Sequence, residues 1–271
     1  MEPVLVIGPH GTTGSRVVER LRRLDIGVRG VSRSTPVPFD WERPATWPGA
    51  LRGVRTAYIT YHPDLSFPGA AARVGALARE AASQGVERAV LLTGRGEEGA
   101  LASEDALLEA LPRSTALRCA FFAQNFTEGA LRDAVAEGVI AMPVAPDIVE
   151  PFLDAGDIAD VAVAALTRPG HEAAVYELTG PRSMTFAEAA DVLGEAAGRP
   201  VAFAPVTPAE WVAGAVASGL PEPFAAALAD LFGEIFDGRN VATSDGVQRV
   251  LGRPATGLAE SSRAIRTAPR A

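Results

Sequence analysis

The seven residues Gly8-Pro9-His10-Gly11-Thr12-Thr13-Gly14 follow four apolar residues, Val4-Leu5-Val6-Ile7, and lead into Ser15-Arg16-Val17-Val18-Glu19-Arg20-Leu21, which is apolar along one helical face. A strand, a turn spaced G-x-x-G-x-x-G and an amphipathic helix, in that order, constrain the fold more than any other stretch of this chain. Glycine permits the tight turn and lets the backbone approach an anion closely. The helix that follows presents unpaired N–H groups and the positive end of its dipole. In this context the turn reads as the opening of a dinucleotide-binding βα unit; the alternative is an ordinary glycine-rich strand-to-helix turn.

Downstream, short apolar runs alternate with longer amphipathic stretches as far as about Leu117. The pattern predicts strands over 4–7, 28–32, 56–60, 88–93 and 115–118, and helices over 14–24, 70–84, 103–111 and 121–137. Right-handed crossovers between such strands give an α/β fold with a doubly wound, Rossmann-type parallel sheet. Between Thr35 and Gly53, Pro36, Pro38, Pro44 and Pro48 leave room only for a short turn or short helix on the surface.

Beyond about residue 140 the pattern changes. It predicts a helix over 157–167 with Asp157 as N-cap, a strand at 175–180 closed by Gly180-Pro181, and a capping box, Thr185 with Glu188, opening a helix over 186–197. A strand at 201–204 and helices at 208–218, 222–236 and 244–251 complete the chain. The expected organisation is a nucleotide-binding domain over 1–150 and a smaller C-terminal α/β substrate-binding lobe over 151–271, with a strand near 174–179 returning to the main sheet.

Composition narrows the function classes. A 271-residue chain that is 48% hydrophobic and 21% charged builds a packed core. All 25 basic residues are Arg, none is Lys, and the net charge of −8 argues against a nucleic-acid backbone as partner. Cys119 is the single cysteine, so no internal disulfide forms, and His10, His62 and His171 lie far apart with no metal-ligand spacing, so no metal is expected. The N-terminus has no signal-peptide pattern, and no apolar run reaches the roughly 18 residues of a membrane span; the expectation is a cytoplasmic monomer or homodimer acting on a small molecule.

Candidate site residues fall at strand ends, where ligands bind in open α/β sheets. Gly8, His10, Gly11, Thr12, Thr13 and Gly14 make up the first loop. Arg33, 25 residues after Gly8, stands where an acid would select NAD; between Ser32 and Ser34 it can pair with a 2′-phosphate, against the alternative of a solvated arginine. Thr60, Tyr61 and His62 end the third strand, and Tyr61 and His62 are the candidates for proton transfer, a packed loop being the bland alternative. Thr93 and Gly94 end the fourth strand. In Phe121-Phe122-Ala123-Gln124-Asn125-Phe126, Phe122 and Asn125 are candidates for the nicotinamide and Phe126 for the substrate, although Phe122 and Phe126 also have core-pair spacing. Trp211 and Phe232 are further substrate candidates. Glu97-Glu98, Glu104-Asp105 and Asp154/Asp157 read as solvated turns and helix starts.

Val4 to Val17, Ser32-Arg33, Phe39-Asp40-Trp41, Phe121 to Phe126 and Tyr176 to Pro181 together resemble the NmrA-like family of atypical short-chain dehydrogenases over nearly the whole chain. Within it, Phe39-Asp40-Trp41, Asp237 to Asn240 and Asp245 to Arg249 look most like bacterial relatives of ergot-alkaloid iminium reductases. The resemblance implies NADP(H), with Gly8, Gly11, Thr12, Thr13 and Gly14 on the pyrophosphate, Arg33 on the 2′-phosphate, and Tyr61, Phe122 and Asn125 flanking the nicotinamide. The Tyr-x-x-x-Lys pair of conventional members is absent, which favours electron-poor acceptors such as iminium ions, quinones and conjugated systems. A non-catalytic NADP(H) sensor and a scaffold redeployed for a non-redox cyclisation are the rival readings.

Overall fold

The computed structural model describes residues 2–267. In chain order its elements are β1 (Val4–Ile7), α1 (Thr12–Arg23), β2 (Val28–Val31), α2 (Trp47–Leu51), β3 (Thr56–Ile59), α3 (Ala70–Ser83), β4 (Arg88–Gly94), α4 (Glu98–Ala110), β5 (Thr115–Cys119), α5 (Arg132–Glu137), β6 (Val139–Met142), β7 (Val149–Glu150), α6 (Ala155–Thr167), β8 (Val175–Leu178), β9 (Met184–Thr185), α7 (Phe186–Ala197), β10 (Ala202–Pro205), α8 (Pro208–Ala217), α9 (Glu222–Ile235), α10 (Gly246–Leu251) and α11 (Leu258–Ser261).

Two compact units share these elements. The first holds the chain up to Cys119 together with Ala155–Leu178 and Asp245–Arg253; the second holds Ala120–Asp154, Thr179–Ser244 and the chain from Pro254. The strand expected near 174–179 is β8, paired in parallel with β5. Compactness thus partitions the chain differently from a single boundary at residue 150.

The first unit is built on a six-stranded sheet in the order β2-β1-β3-β4-β5-β8, parallel at every pairing. β1 is buried at all four positions, as expected of a strand covered on both faces. After β1 the chain steps to β2 on one side and then returns to β3 on the other, so the crevice past the carboxyl ends of β1 and β3 is the topological switch point. Among the described residues, the edge beyond β2 carries a single bridge, Ser32 with Pro38. Prolines 36 and 38 have no N–H to donate, so no further strand extends that edge. Leu5, Ile7, Val31, Ile59 and Leu91 pack with Val74, Leu77 and Leu107 in this unit's core.

The second unit pairs β6 with β10 in parallel and β7 with β9 antiparallel. Its core is aromatic: Phe126, Phe152, Phe186 and Phe236, with Ile140 and Leu193. The capping box at Thr185 and Glu188 forms as the sequence predicts. Among the described residues no helix is long and apolar enough to cross a membrane.

Of the elements that the sequence pattern predicts, three differ. No helix spans 121–137. Phe122 is extended and bridges Leu153, with Ala123 N–H donating to Leu153 at 2.8 Å and Leu153 N–H to Phe121 at 2.9 Å. Strand-type pairing thus replaces helical bonds there, and only a three-residue 3-10 turn and α5 remain. α4 begins at Glu98 rather than 103, since Gly99 allows close packing: a Cβ there would lie 2.3 Å from the Leu65 carbonyl oxygen. α6 starts at Ala155, so Asp157 lies inside its first turn rather than at its cap. That carboxylate is 1% exposed and pairs with Arg253 at 2.8 Å.

Candidate functional site

The glycine turn sits at the switch point. Gly8 has a φ of +77°, in the left-handed region that glycine adopts without strain. A Cβ on Gly14 would lie 2.1 Å from the Gly8 carbonyl oxygen, so only glycine lets α1 start this close to β1. Pro9 rests on β2 at Gly30, where a Cβ would come within 2.8 Å of the proline ring. Thr60, just past β3, donates its hydroxyl to the Ile7 carbonyl at 3.0 Å and ties the two strand ends together beneath Gly8.

α1 opens without a side-chain cap, its N-cap is Gly11, and its first turn carries no acidic residue. Ser15 N–H is bonded to the Gly11 carbonyl, so the Thr12, Thr13 and Gly14 N–H groups precede the first intrahelical bond. Such a helix start suits a pyrophosphate. Thr13 and Gly14 are buried, Thr12 is half-buried, and His10 and Gly11 are exposed.

At the end of β2, Arg33 is exposed and flanked by Ser32 and Ser34, whose hydroxyls lie 3.2 Å apart. Thr35 secures this loop by accepting from Ser32 N–H at 2.7 Å and donating to the Val37 carbonyl at 2.8 Å. The donor set of guanidinium, two hydroxyls and leading helix N–H groups has the chemistry to hold a phosphorylated dinucleotide. Asp40 lies near enough to feel the Arg33 charge, but its carboxyl is held below the ordinary range first by the Glu42 N–H and then by Arg43.

Past β3, Tyr61 is half-buried and His62 exposed. Trp41 packs on the Tyr61 ring at 4.8 Å between centroids and donates its indole N–H to the Thr60 carbonyl at 3.3 Å. Phe39 and Trp47 back Trp41 in turn. The Phe39-Asp40-Trp41 segment is therefore the floor on which Tyr61 stands.

The end of β4 departs from expectation. Thr93 is 3% exposed and turns its hydroxyl inward, to the Glu104 carboxylate at 2.8 Å and the Leu117 carbonyl at 3.2 Å. Glu104, expected to be solvated, is 2% exposed and receives two N–H bonds from Arg118, at 2.7 and 3.0 Å. The pairing raises the guanidinium's pKa further. Glu97 is buried as well, against Gly94, where a Cβ would meet its carboxylate at 1.6 Å. Sequence reasoning missed these groups, although an arginine inside the otherwise apolar strand β5 signals a buried acid.

In the second unit Phe126 is 1% exposed and packs with Phe152 and Phe186, a core position rather than a substrate-facing one. Phe121, Phe122 and Asn125 keep partial exposure. Phe121 is fixed by its N–H bond to the buried Glu150 carboxylate at 3.0 Å. Trp211 and Phe232, both half-buried, meet edge to face at 5.0 Å on α8 and α9.

No protein-family profile matches the chain. It is 32% identical to the uncharacterized oxidoreductase YesF of Bacillus subtilis, over 95% of this chain and 93% of that protein. It is also 32% identical to the NAD(P)H azoreductase of Xenophilus azovorans, over 96% of this chain and 97% of that one. In fold it matches the Citrobacter sp. triphenylmethane reductase complexed with NADP(H), at a TM-score of 0.81 and 24% identity, over 97% of this chain and 99% of that chain.

Proposed function

The chain belongs to the NmrA-like family of atypical short-chain dehydrogenases, and from that premise we propose that it is an NADPH-dependent reductase of electron-poor small molecules. The acceptors are quinones, iminium ions, and conjugated azo or cationic dye systems. One observation carries the reading: an uncapped α1 opens at the switch point of the sheet, with Arg33 at the end of β2 in place of an acid. The azo bond named for the Xenophilus relative and the dye class named for the Citrobacter reductase are both conjugated systems that accept hydride.

When bound, the nicotinamide supplies the hydride. The chain supplies everything else. The α1 start and Gly8 hold the pyrophosphate, and Arg33 with Ser32 and Ser34 holds the 2′-phosphate. Tyr61, set on Trp41 just past the end of β3, would line the nicotinamide. Within the second unit, Phe121, Phe122, Trp211 and Phe232 are half-buried rings of a kind that suits a flat acceptor. An acceptor that already carries positive charge needs only positioning and exclusion of water, because hydride neutralises it.

The test is calorimetric titration of the protein with NADPH and NADH, followed by 340 nm absorbance against a quinone, a cyclic iminium ion, an azo compound and a triarylmethane dye. Binding of NADPH in preference to NADH with acceptor-dependent oxidation is the expected result. Binding without oxidation of any acceptor would replace the enzyme reading with the sensor. No binding would remove the nucleotide site altogether.

A further inference from the structure

The Tyr61 hydroxyl accepts a hydrogen bond from Arg73 Nη1 at 3.3 Å. Arg73 comes from the first turn of α3, 12 residues along the chain, and its Nη2 is held by Glu42 at 2.9 Å. Room for the guanidinium is built into the backbone. Gly69 has a φ of +84°, and a Cβ on it would lie 2.8 Å from Arg73 Nη1. Trp41, only 8% exposed, packs on the phenol ring. The charge that meets the phenol oxygen is Arg73 of α3, and Glu42, of the segment before α2, pairs with that guanidinium in turn.

A phenol whose oxygen already receives a guanidinium N–H is an acid whose conjugate base has its counter-ion in place. We propose that Tyr61 is the proton donor to acceptors whose reduction leaves an anion, and that Arg73 is the positioning residue that holds the phenol and balances the charge left on its oxygen. This rests on the reductase reading above. In an uncharged azo acceptor, the nitrogen that takes hydride gains its electron pair, and the negative charge falls on the other nitrogen of the N=N bond. There the Tyr61 O–H bond breaks and an N–H bond forms. The phenolate remains beside Arg73 and regains its proton from water, so each turnover consumes one hydride from NADPH and one proton from solvent. A triarylmethyl cation takes the same hydride and needs no proton.

That contrast supplies the experiment: native protein, Tyr61→Phe, Arg73→Met and Arg73→Lys, each with NADPH and either an azo compound or a triarylmethane dye cation. Loss of a general acid costs roughly 100-fold or more. For Tyr61→Phe and Arg73→Met, kcat on the azo compound should fall by about that factor, and at least roughly tenfold further than on the dye. Arg73→Lys should restore most of the loss, because it keeps a cation near the oxygen. The solvent deuterium isotope effect on azo reduction should shrink in Tyr61→Phe. In the cofactor-free protein, the near-ultraviolet circular dichroism of the Tyr61–Trp41 pair should weaken in Arg73→Met and keep most of its native intensity in Arg73→Lys, with Tyr61→Phe as the reference. Equal losses on both acceptors, an unchanged near-ultraviolet signal in Arg73→Met, or a native protein that reduces only the cation would overturn the Tyr61–Arg73 role alone. A native protein that reduces neither acceptor would bring down the reductase reading, and this role with it.

Discussion

Arg33 and Glu104 show the two ways in which single residues shape this molecule. Arg33 is exposed just past β2, and we propose it as the residue that meets the 2′-phosphate. Removing a charge-assisted bond to a phosphate costs about 1.5–3 kcal/mol, roughly 10- to 100-fold in affinity. Arg33→Ala should weaken NADPH by about that factor and leave NADH nearly unchanged; equal losses for both nucleotides in calorimetry would sink the assignment. Glu104 is the opposite case, a 2% exposed carboxylate joined to Arg118 and Thr93. Breaking a buried pair strands its partner, at about 3–5 kcal/mol. Because Arg118 keeps 29% of its side-chain exposure, Glu104→Ala should cost about 3 kcal/mol in urea unfolding, and Glu104→Gln less. A cost below about 1 kcal/mol would mean that water replaces the carboxylate without penalty. The position of Arg33 just past β2 was legible in sequence because it follows from the local strand pattern alone. Glu104 was not, since Thr93, Glu104 and Arg118 sit on β4, α4 and β5 and meet only once the sheet has formed.

At the scale of elements, the strand–turn–helix unit was the most legible part, because its constraint is local. Gly8 and Gly14 are demanded by backbone geometry within one turn, and hydrophobic period distinguishes β1 from α1 without help from elsewhere. Gly14→Ala tests this directly. Its Cβ would stand 2.1 Å from the Gly8 carbonyl oxygen and 2.9 Å from the Gly8 carbonyl carbon, both backbone atoms that cannot rotate away. The turn must open, and the α1 N–H groups must move with it. NADPH affinity should fall more than about tenfold at a temperature where circular dichroism still reports a folded protein, since displaced donors lose their charge-assisted bonds. Native affinity in that variant would show that the turn is not the pyrophosphate cradle. The segment over 121–137 was misread for the converse reason. Its composition suits a helix, yet Phe121 and Ala123 exchange backbone bonds with Leu153, some 30 residues away, and tertiary pairing overrides propensity. β6 was unread for the same cause: Val139–Met142 needs β10, far along the chain, as its partner.

For the molecule as a whole, the buried and paired titratable groups define a pH window of stability. Burial lowers the pKa of His171 from 6.5, and its Nδ1 lies 2.8 Å from the Tyr176 hydroxyl. The unfolded chain therefore takes up this proton first as the pH drops below about 6.5, and stability falls. Asp237, held low first by its side-chain bond to Arg239, Glu172, held low by backbone N–H groups, and Asp40 have the same sign. Their contribution is present above their unfolded values of 3.8 and 4.5 and is lost on further acidification. On the alkaline side the sign reverses. Burial, reinforced by Glu97, pushes the Cys119 thiol well above 9.0, and burial pushes the Tyr58 phenol above 10.0, its hydroxyl facing Thr13 short of hydrogen-bond geometry. The unfolded chain releases these protons first, so stability declines once the pH passes 9 and again past 10. Urea midpoints should therefore form a plateau between about pH 6.5 and 9 with shoulders on both sides. Cys119→Ala should move the alkaline onset from near 9 to near 10, and His171→Gln should delay the acid onset into the carboxylate range. A midpoint that stays level past pH 9 and 10 in the native protein would mean that Cys119 and Tyr58 reach solvent in the folded state, against the close packing of β3 and β5 around them.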